Sequence, residues 1–242
     1  MPANKSLILS LPANAYELTD EDRDRFAQEE RLGMVRPQDP VLTKLAQSVS
    51  PDNIASAHVK DVIEKLLAVA YGQRAARRVS RGKRRTLVGL AAPQIGQSLR
   101  IIVMDPKIGP DRKHPGKLVC FINPEIVWRS RETAEDREGC FSAGPVWGLV
   151  RRPLAVKIRA FTQEGKHVER IFEGFTARIA CHEIDHLDGV RFPERITTDR
   201  KRHWVHAEEL DTYIKHTGRW PRICTKVQWE AYKREIQKPG NL

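Results

Sequence analysis

The spacing of apolar residues changes once along this chain, near Phe175, and that change constrains the fold more than any other feature. Between Leu87 and Phe175, short apolar segments alternate with turn residues, a pattern typical of strands. The strand-like segments are Leu99–Met104, Leu118–Ile122, Ile126–Trp128, Leu154–Phe161 and His167–Phe172. After Phe175, apolar and histidine residues recur three or four positions apart until near Gly189, which indicates a helix. The pattern predicts an α+β fold in which antiparallel β-sheets pack around a central helix.

Two terminal regions flank this part of the chain, which we place at residues 40–195. Residues 1–39 carry little periodicity and are predicted to form a loosely attached N-terminal arm. Residues 196–242 are polar and basic. They are predicted to form a helical C-terminal extension, with helices around Thr198–His216 and Thr225–Ile236.

A further helix is predicted before the strands, from about Asp52 to Tyr71, and Gly72 suits its C-terminal end. A basic run follows between Arg74 and Arg85, with seven cations and no acidic residue. Its simplest interpretation is a solvated surface loop. The alternative is a contact with a polyanion such as RNA, which the formal net charge of +11 also favours.

The composition is typical of a globular protein, with 40% hydrophobic and 30% charged residues. The longest apolar runs, such as Leu66–Ala70 and Ile101–Met104, are too short to cross a bilayer, and we find no secretory signal. We therefore expect a cytoplasmic protein with no membrane partner. Without a secretory signal, the four cysteines are expected to be free thiols or metal ligands rather than disulfides.

The sharpest signal for chemistry is the run His182-Glu183-Ile184-Asp185-His186 within the predicted central helix. Positions four apart on a helix face the same way, so both imidazoles can reach one divalent ion. Glu183 lies beside them and can accept and return the proton of a bound water. The alternative is a pair of surface histidines beside a solvated glutamate.

A catalytic metal site needs a third protein ligand. His203 and His206 lie downstream, but the longer zinc-protease motif would need its third histidine at the position of Phe192. Cys140 is the other candidate. In Glu138-Gly139-Cys140-Phe141-Ser142 the glycine permits close approach of the backbone, and a thiolate is a strong soft ligand. Taken singly, Cys140 would be interpreted as a small buried hydrophobic residue.

A third motif, Val88-Gly89-Leu90-Ala91-Ala92-Pro93-Gln94-Ile95-Gly96, places a carboxamide among small residues at a predicted strand end. Such an amide can donate hydrogen bonds to a developing oxyanion. Together and in this order, the three motifs resemble the peptide deformylases. That family is marked by G-x-G-x-A-A-x-Q, then E-G-C-x-S, then H-E-x-x-H. The resemblance covers roughly Pro40 to Arg195.

The resemblance implies a catalytic role for several residues. It makes Cys140, His182 and His186 the metal ligands and Glu183 the acid–base catalyst. The oxyanion donors would then be the side chain of Gln94 and the backbone N–H of Phe141.

The resemblance also implies how substrate is bound. The backbone of Gly89 and Gly139 would bind the substrate peptide as an added strand, and an apolar pocket would accept its methionine. Glu138 would pair with Arg152 and support the cysteine loop. The implied substrate-binding residues are Val88, Gly89, Glu138, Gly139 and Ile179.

By this resemblance the chain is expected to hydrolyse the formyl group from N-formylmethionyl peptides and release formate. It would use one divalent metal ion, with Fe²⁺ favoured and Zn²⁺, Ni²⁺ or Co²⁺ compatible with the same ligands. A ribosomal RNA contact through the basic surface would fit, because the substrate emerges from an RNA-rich particle. The alternatives are a zinc protease with another third ligand and a non-enzymatic module that binds RNA or ribosomes.

Three positions depart from the pattern of the family. Leu87 stands where the first motif begins with glycine, so a positive φ there would be strained. Cys181 stands where the family usually has glutamine, and Phe141 replaces the commoner leucine. None of these changes removes a catalytic group, and all of them bear on substrate range.

Overall fold

The computed structural model of this protein describes residues 18–79, 87–112 and 114–235. Its α-helices are α1 (Asp20–Arg31), α2 (Ala57–Val79), α3 (Gly174–Leu187), α4 (Leu210–His216) and α5 (Lys226–Glu235). Its strands are β1 (Gly89–Ala91), β2 (Ile101–Met104), β3 (Val119–Arg129), β4 (Thr133–Gly139), β5 (Val146–Pro153), β6 (Ala155–Phe161), β7 (His167–Glu173) and β8 (Arg202–Trp204). Single-turn 3₁₀ helices connect several of these elements.

The larger sheet has five strands in the order β1-β2-β3-β6-β7, and all neighbours are antiparallel. Helix α3 packs against this sheet through the small and branched residues of one face. Ala177, Ala180 and Ile184 of α3 share a buried cluster with Ile102 and Ile158 of the sheet. Burial of this face accounts for the position of α3, since most helical stability comes from tertiary packing.

The smaller sheet has three antiparallel strands in the order β4-β5-β8. The β4–β5 hairpin pairs Gly139 with Trp147. This pairing places Cys140, the next residue, beside α3. Two antiparallel sheets around a helix that carries the histidine motif confirm the predicted fold class.

The prediction of a loosely attached N-terminal arm is wrong for Asp20–Arg31, which forms α1. The side chain of Thr19 accepts a hydrogen bond from the N–H of Asp22, and the Asp22 carboxylate accepts one from the Thr19 N–H. This reciprocal capping satisfies the first donors of the helix. Phe26 then anchors α1 through a ring contact with Phe141, with centroids 5.3 Å apart.

The predicted end of α2 at Gly72 is also wrong, because the helix continues through Gly72 to Val79. The loop interpretation of the basic run is therefore wrong for Arg74, Arg77 and Arg78, which lie in the last turns of α2. The remaining cations of the run, at positions 81–85, lie outside the described residues.

The predicted strands are confirmed in substance, although two of them are parts of one strand. Strand β3 runs through Asn123, whose φ is 49°. The Asn123 side chain accepts a hydrogen bond from the Val49 N–H and donates one to the Val49 carbonyl.

The predicted start of a C-terminal helix near Thr198 is wrong, because that segment contains β8 and the helix begins at Leu210. The second C-terminal helix is confirmed as α5. The strand expected before Gln94 is confirmed as β1, whereas β4, β5 and β8 are not among the predicted strands.

Candidate metal centre and active site

Cys140, His182 and His186 converge, with their possible ligand atoms within 4.8 Å of one another. The two histidines stand one turn apart on α3, and their ring centroids are 5.0 Å apart. Cys140 follows the last residue of β4, and its Sγ lies 3.4 Å from Nε2 of His186. Three ligands from a strand end and one helix face match the usual number of protein ligands in a catalytic zinc-type site.

Cys140 and His182 shift each other's pKa values strongly. Burial by itself would raise the pKa of the Cys140 thiol, but His186 and His182 hold it well below its usual value. Cys140 is therefore favoured as the thiolate, the form that binds metals. Burial would lower the pKa of His182, but Cys140 and Glu138 hold it well above its usual range. The donor set of two nitrogens and one sulfur fits Fe²⁺, Zn²⁺, Ni²⁺ or Co²⁺.

Glu183 is buried beside the triad and is not itself a member of it. Its Oε2 has no hydrogen-bond partner among the described residues. Burial raises the pKa of this carboxyl group to about 7. A Cβ atom at Gly89 would lie 2.5 Å from Oε1 of Glu183. Any other residue at this position would therefore displace the carboxylate. A carboxyl group with this pKa can both accept and return a proton near neutral pH.

The amide of Gln94 is oriented by bonds at both ends. Its Oε1 accepts a hydrogen bond of 2.9 Å from the N–H of Ala91. This bond turns Nε2 toward the cysteine loop, where it donates to Sγ of Cys140 at 3.3 Å and to Oγ of Ser142 at 3.2 Å. The structure thus brings the predicted amide donor next to the predicted thiolate.

The predicted pairing of Glu138 with Arg152 is confirmed by two hydrogen bonds, each of 2.9 Å. Both partners are buried. The same carboxylate lies 2.9 Å from Nδ1 of His182. Burial would raise the pKa of Glu138, but Arg152 and His182 hold it far below its usual range. Glu138 therefore stays ionised and orients a predicted metal ligand, as groups behind metal-binding histidines commonly do.

Three members of this network are absent from the residues predicted from the sequence. Arg178 donates to Glu138 at 2.8 Å, and Asp185 accepts from Arg152 at 2.6 Å. Arg195 closes the network with hydrogen bonds to Asp185. A usable signal was present, because Arg178 stands one helical turn before His182 and a charged residue on a buried helix face needs a partner.

The alternative third ligands considered above are engaged elsewhere. His203 lies 3.1 Å from the Tyr213 hydroxyl and 2.8 Å from the Arg200 carbonyl. Nδ1 of His206 lies 2.6 Å from Asp22. Among the residues that the structure describes, Cys140, His182 and His186 form the one grouping with metal-ligand geometry.

A cavity of about 580 Å³ opens beside these groups. It is lined by all the residues predicted to bind substrate, namely Val88, Gly89, Glu138, Gly139 and Ile179. Gln94, Phe141 and Glu183 line the same cavity. The structure thus places the predicted substrate residues around one space, and their roles remain predictions.

The departures noted in the sequence leave the site intact. Leu87 lines the same cavity as the predicted substrate residues. Cys181 is buried beside His182, and burial raises the pKa of its thiol to about 11. All four cysteines are free thiols. In the described part of the chain, no helix has the length and apolar character needed to cross a membrane.

The sequence and the structure of this chain were compared with those of known proteins. Residues 32–202 match the family model described as polypeptide deformylase. A peptide deformylase of Pseudothermotoga lettingae is 37% identical over 164 residues, which cover 67% of this chain and 81% of that protein. The Met-Ala-Ser-bound crystal structure of a class I type b peptide deformylase from Acinetobacter baumannii has a TM-score of 0.55 and 32% identity, and the match covers 67% of this chain and 96% of that one. Peptide deformylase 1B from Arabidopsis thaliana, in complex with an inhibitor, has a TM-score of 0.61 and 25% identity over 86% of this chain and 94% of that one.

Proposed function

This chain belongs to the peptide deformylase family, and we propose that its reaction takes place in the cavity beside Cys140, His182 and His186. The chain is a hydrolase that removes the N-formyl group from nascent polypeptides. Water is added across the formamide C–N bond, and the products are formate and a free amino terminus. The observation that carries the site assignment is the buried carboxylate of Glu183 beside a metal-binding triad.

Glu183 is the acid–base catalyst in this proposal. It accepts the proton of the attacking water and then delivers a proton to the leaving amine. Its pKa of about 7 supports both steps, because general catalysis is most effective when the pKa lies near the working pH. Glu183 is also not needed as a ligand, since the triad supplies three without it.

The three ligands would hold one divalent ion, for which we propose Fe²⁺, with Zn²⁺, Ni²⁺ and Co²⁺ as alternatives. When bound, such an ion supplies Lewis-acid assistance and acidifies water. The protein contributes the orientation of the ligands. Glu138 fixes the ring of His182, and Arg152 holds Glu138 in place.

Stabilisation of the oxyanion is assigned to Gln94 and to the backbone N–H of Phe141. The bond from Ala91 holds the Gln94 amide with Nε2 beside Cys140 and Ser142, so one of its two N–H donors would need only a short shift to reach the oxyanion. Phe141 follows Cys140 directly and lines the same cavity. Removal of one such donor costs roughly 3 kcal/mol of transition-state stabilisation in other enzymes.

Substrate binding is assigned to the strand edges beside the cavity. Strand β1, which begins at Gly89, is the outer strand of the larger sheet, and β4, which ends at Gly139, is the outer strand of the smaller one. An extended peptide can add to such edges through main-chain hydrogen bonds. Val88 and Ile179 are apolar, line the cavity and would receive the methionine side chain. The relative from A. baumannii was solved with Met-Ala-Ser bound, which supports a peptide as the ligand of this chain.

We further propose that the enzyme works in the cytoplasm and contacts ribosomal RNA through its basic surface. The net charge of +11 supports the contact, because phosphate backbones attract cationic surfaces. Proximity to the ribosome would place the enzyme where formylated amino termini emerge.

The site assignment is tested by anaerobic purification followed by elemental analysis and a formate-release assay. We expect about one divalent ion per chain in the native protein and formate release from a formyl-Met peptide. Cys140→Ser should lose both the ion and the activity, because a hydroxyl is a weaker ligand than a thiolate. A Cys140→Ser variant that keeps its ion would assign the third ligand to another residue and overturn the proposed site.

A further inference from the structure

Two segments that the catalytic motifs do not include contribute to the lining of the cavity. Helix α1 contributes Glu21, Asp24 and Arg25 to its lining. A C-terminal segment contributes Glu208 and Asp211. Helix α1 lies before residue 32 and this segment lies after residue 202, so both fall outside the part of the chain that matches the family model.

Asp22 joins these two segments. It is 1% exposed, and its two carboxylate oxygens reach across the fold to consecutive residues. Oδ2 lies 2.6 Å from Nδ1 of His206, and Oδ1 accepts a hydrogen bond of 3.0 Å from the N–H of Ala207. Thr19 adds a hydrogen bond from its hydroxyl to Glu208 at 3.2 Å. A buried carboxylate with this many partners fixes the position of the helix that carries it.

Helix α1 also contacts the loop that carries Cys140. The ring of Phe26 on α1 packs against Phe141, the residue after Cys140. Just beyond α1, the N–H of Val35 donates a hydrogen bond of 2.9 Å to the carbonyl of Gln94. Helix α1 is therefore held against the active site at one side and against the C-terminal segment at the other.

We propose that α1 and residues 207–211 form the outer wall of the substrate channel and bind the residues that follow formylmethionine, with Asp22 as the positioning residue of the wall. This inference rests on the proposed function, because it assumes that the peptide leaves the catalytic centre through this cavity. Both segments line the same cavity as Glu183, so a peptide that extends from the catalytic centre through this cavity can contact them.

The test compares two substrates of different length. The proposal requires formyl-Met-Ala-Ser to reach the wall and formylmethionine amide to end before it. For Asp22→Ala we expect the KM for the tripeptide to rise about tenfold, the loss expected when a binding surface is displaced. The kcat values and the KM for formylmethionine amide should change by less than about twofold, because Asp22 contacts the C-terminal segment and the contacts of Phe26 with Phe141 and of Val35 with Gln94 are retained.

His206→Ala breaks the same clamp from the C-terminal side and should reproduce the effect. Asp20→Ala is the matched control, because Asp20 lies in the same helical turn with a side chain that is 97% exposed. Circular dichroism identifies any variant that does not fold, and His206→Ala then decides the question.

Three results would overturn the proposal. These are an unchanged KM for the tripeptide in folded variants, an equal loss with both substrates, and a lower KM for the tripeptide, which would make the wall an obstruction. If the native enzyme releases no formate from either substrate with any of the four metals, the proposed function fails instead. The two failures are therefore distinguishable.

Discussion

Glycines around the active site are needed because catalytic and aromatic side chains occupy the space of a Cβ atom. At Gly89 that space is taken by the carboxylate of Glu183, and at Gly139 by the ring of Trp147. Both glycines also lie at strand edges next to the cavity. The same two positions thus serve the geometry of the catalyst and the close approach of a substrate backbone.

Glu183→Gln should keep the metal ion and lose nearly all turnover. The amide has the size of the carboxylate, but it cannot accept and return a proton. Formate release should fall by about 10²–10⁴-fold, the usual contribution of a general acid–base. Bound metal and formate release are measured on the same preparation, with exposed Glu64→Gln on α2 as the control. Loss of the ion, or activity within a few fold of native, would contradict the assigned role.

Gly89→Ala should impair catalysis with little effect on the rest of the fold. The new methyl group would lie 2.5 Å from Oε1 of Glu183, so the carboxylate must move. A displacement of this kind can cost about a hundredfold in rate. Gly109→Ala is the control, because its Cβ would make only an ordinary contact at 3.4 Å. Equal kcat values for both variants would show that Glu183 tolerates the displacement.

At the residue scale, the ligands and the catalyst could be predicted because their chemistry requires particular residue types at short spacings. Arg178 could not be assigned a role in this way. Its partners are Glu138 and the carbonyl of Val150, which lie 40 and 28 positions away in the chain. Which buried charges pair depends on how β4, β5 and α3 pack together, and periodicity carries no information about that.

At the scale of elements, two of the segments that were missed, β4 and α1, are stabilised by tertiary contacts rather than by their own composition. Strand β4 has four charged residues among its seven, and it forms because β5 pairs with it and because Glu138 has buried partners. Helix α1 is similarly polar, with Phe26 and Ala27 as its apolar residues. Neither segment has an apolar pattern, so tertiary contacts override local preference in both.

Neighbouring side chains of β5 point alternately to the interior and to solvent, so two adjacent arginines provide a paired test of this conclusion. Arg152 points into the buried network with a side chain that is 6% exposed, whereas Arg151 is 62% exposed and lies 3.8 Å from Glu135. Arg152→Ala leaves Glu138 and Asp185 buried without this partner and should lower the free energy of unfolding by about 3–5 kcal/mol. Arg151→Ala should cost less than about 1 kcal/mol.

Urea denaturation of both variants, monitored by circular dichroism, measures this difference. The Arg152→Ala variant should also bind metal more weakly, since Glu138 would no longer hold His182 in place. Similar stability losses for the two variants would mean that Arg178 and Arg195 compensate for the missing guanidinium group.

At the scale of the whole molecule, a segment near the start of the described chain and one near its end line the same cavity. These are α1 and residues 207–211. Asp22 and His206 are separated by 184 positions, and Asp22 and Ala207 by 185. The boundary at residue 39 remains a prediction from composition, and composition gave no sign that α1 returns to the active site. Contacts of such long range depend on the completed fold, which alone brings both ends to the same face.

The basic run between Arg74 and Arg85 is the other whole-molecule feature, because its effect depends on net charge as well as position. Seven cations without an acidic residue, on a chain with a net charge of +11, favour a phosphate-rich partner. The run comes directly before the strand that begins at Gly89. A short formyl-Met peptide is nearly neutral, so its turnover should not depend on these cations.

Replacing Arg81, Lys83, Arg84 and Arg85 with glutamine should therefore weaken ribosome binding and leave peptide turnover unchanged. Each lost phosphate contact should flatten the salt dependence by about 0.7–0.9 log units. The charge-matched control replaces four cations of the β6–β7 hairpin, namely Lys157, Arg159, Lys166 and Arg170. Co-sedimentation with ribosomes at several salt concentrations, beside the peptide assay, compares the two variants. Equal weakening in both would indicate a general effect of net charge, and unchanged co-sedimentation of the first variant would refute the ribosome contact. A loss of peptide turnover with intact ribosome binding would instead place the run over the active-site cavity.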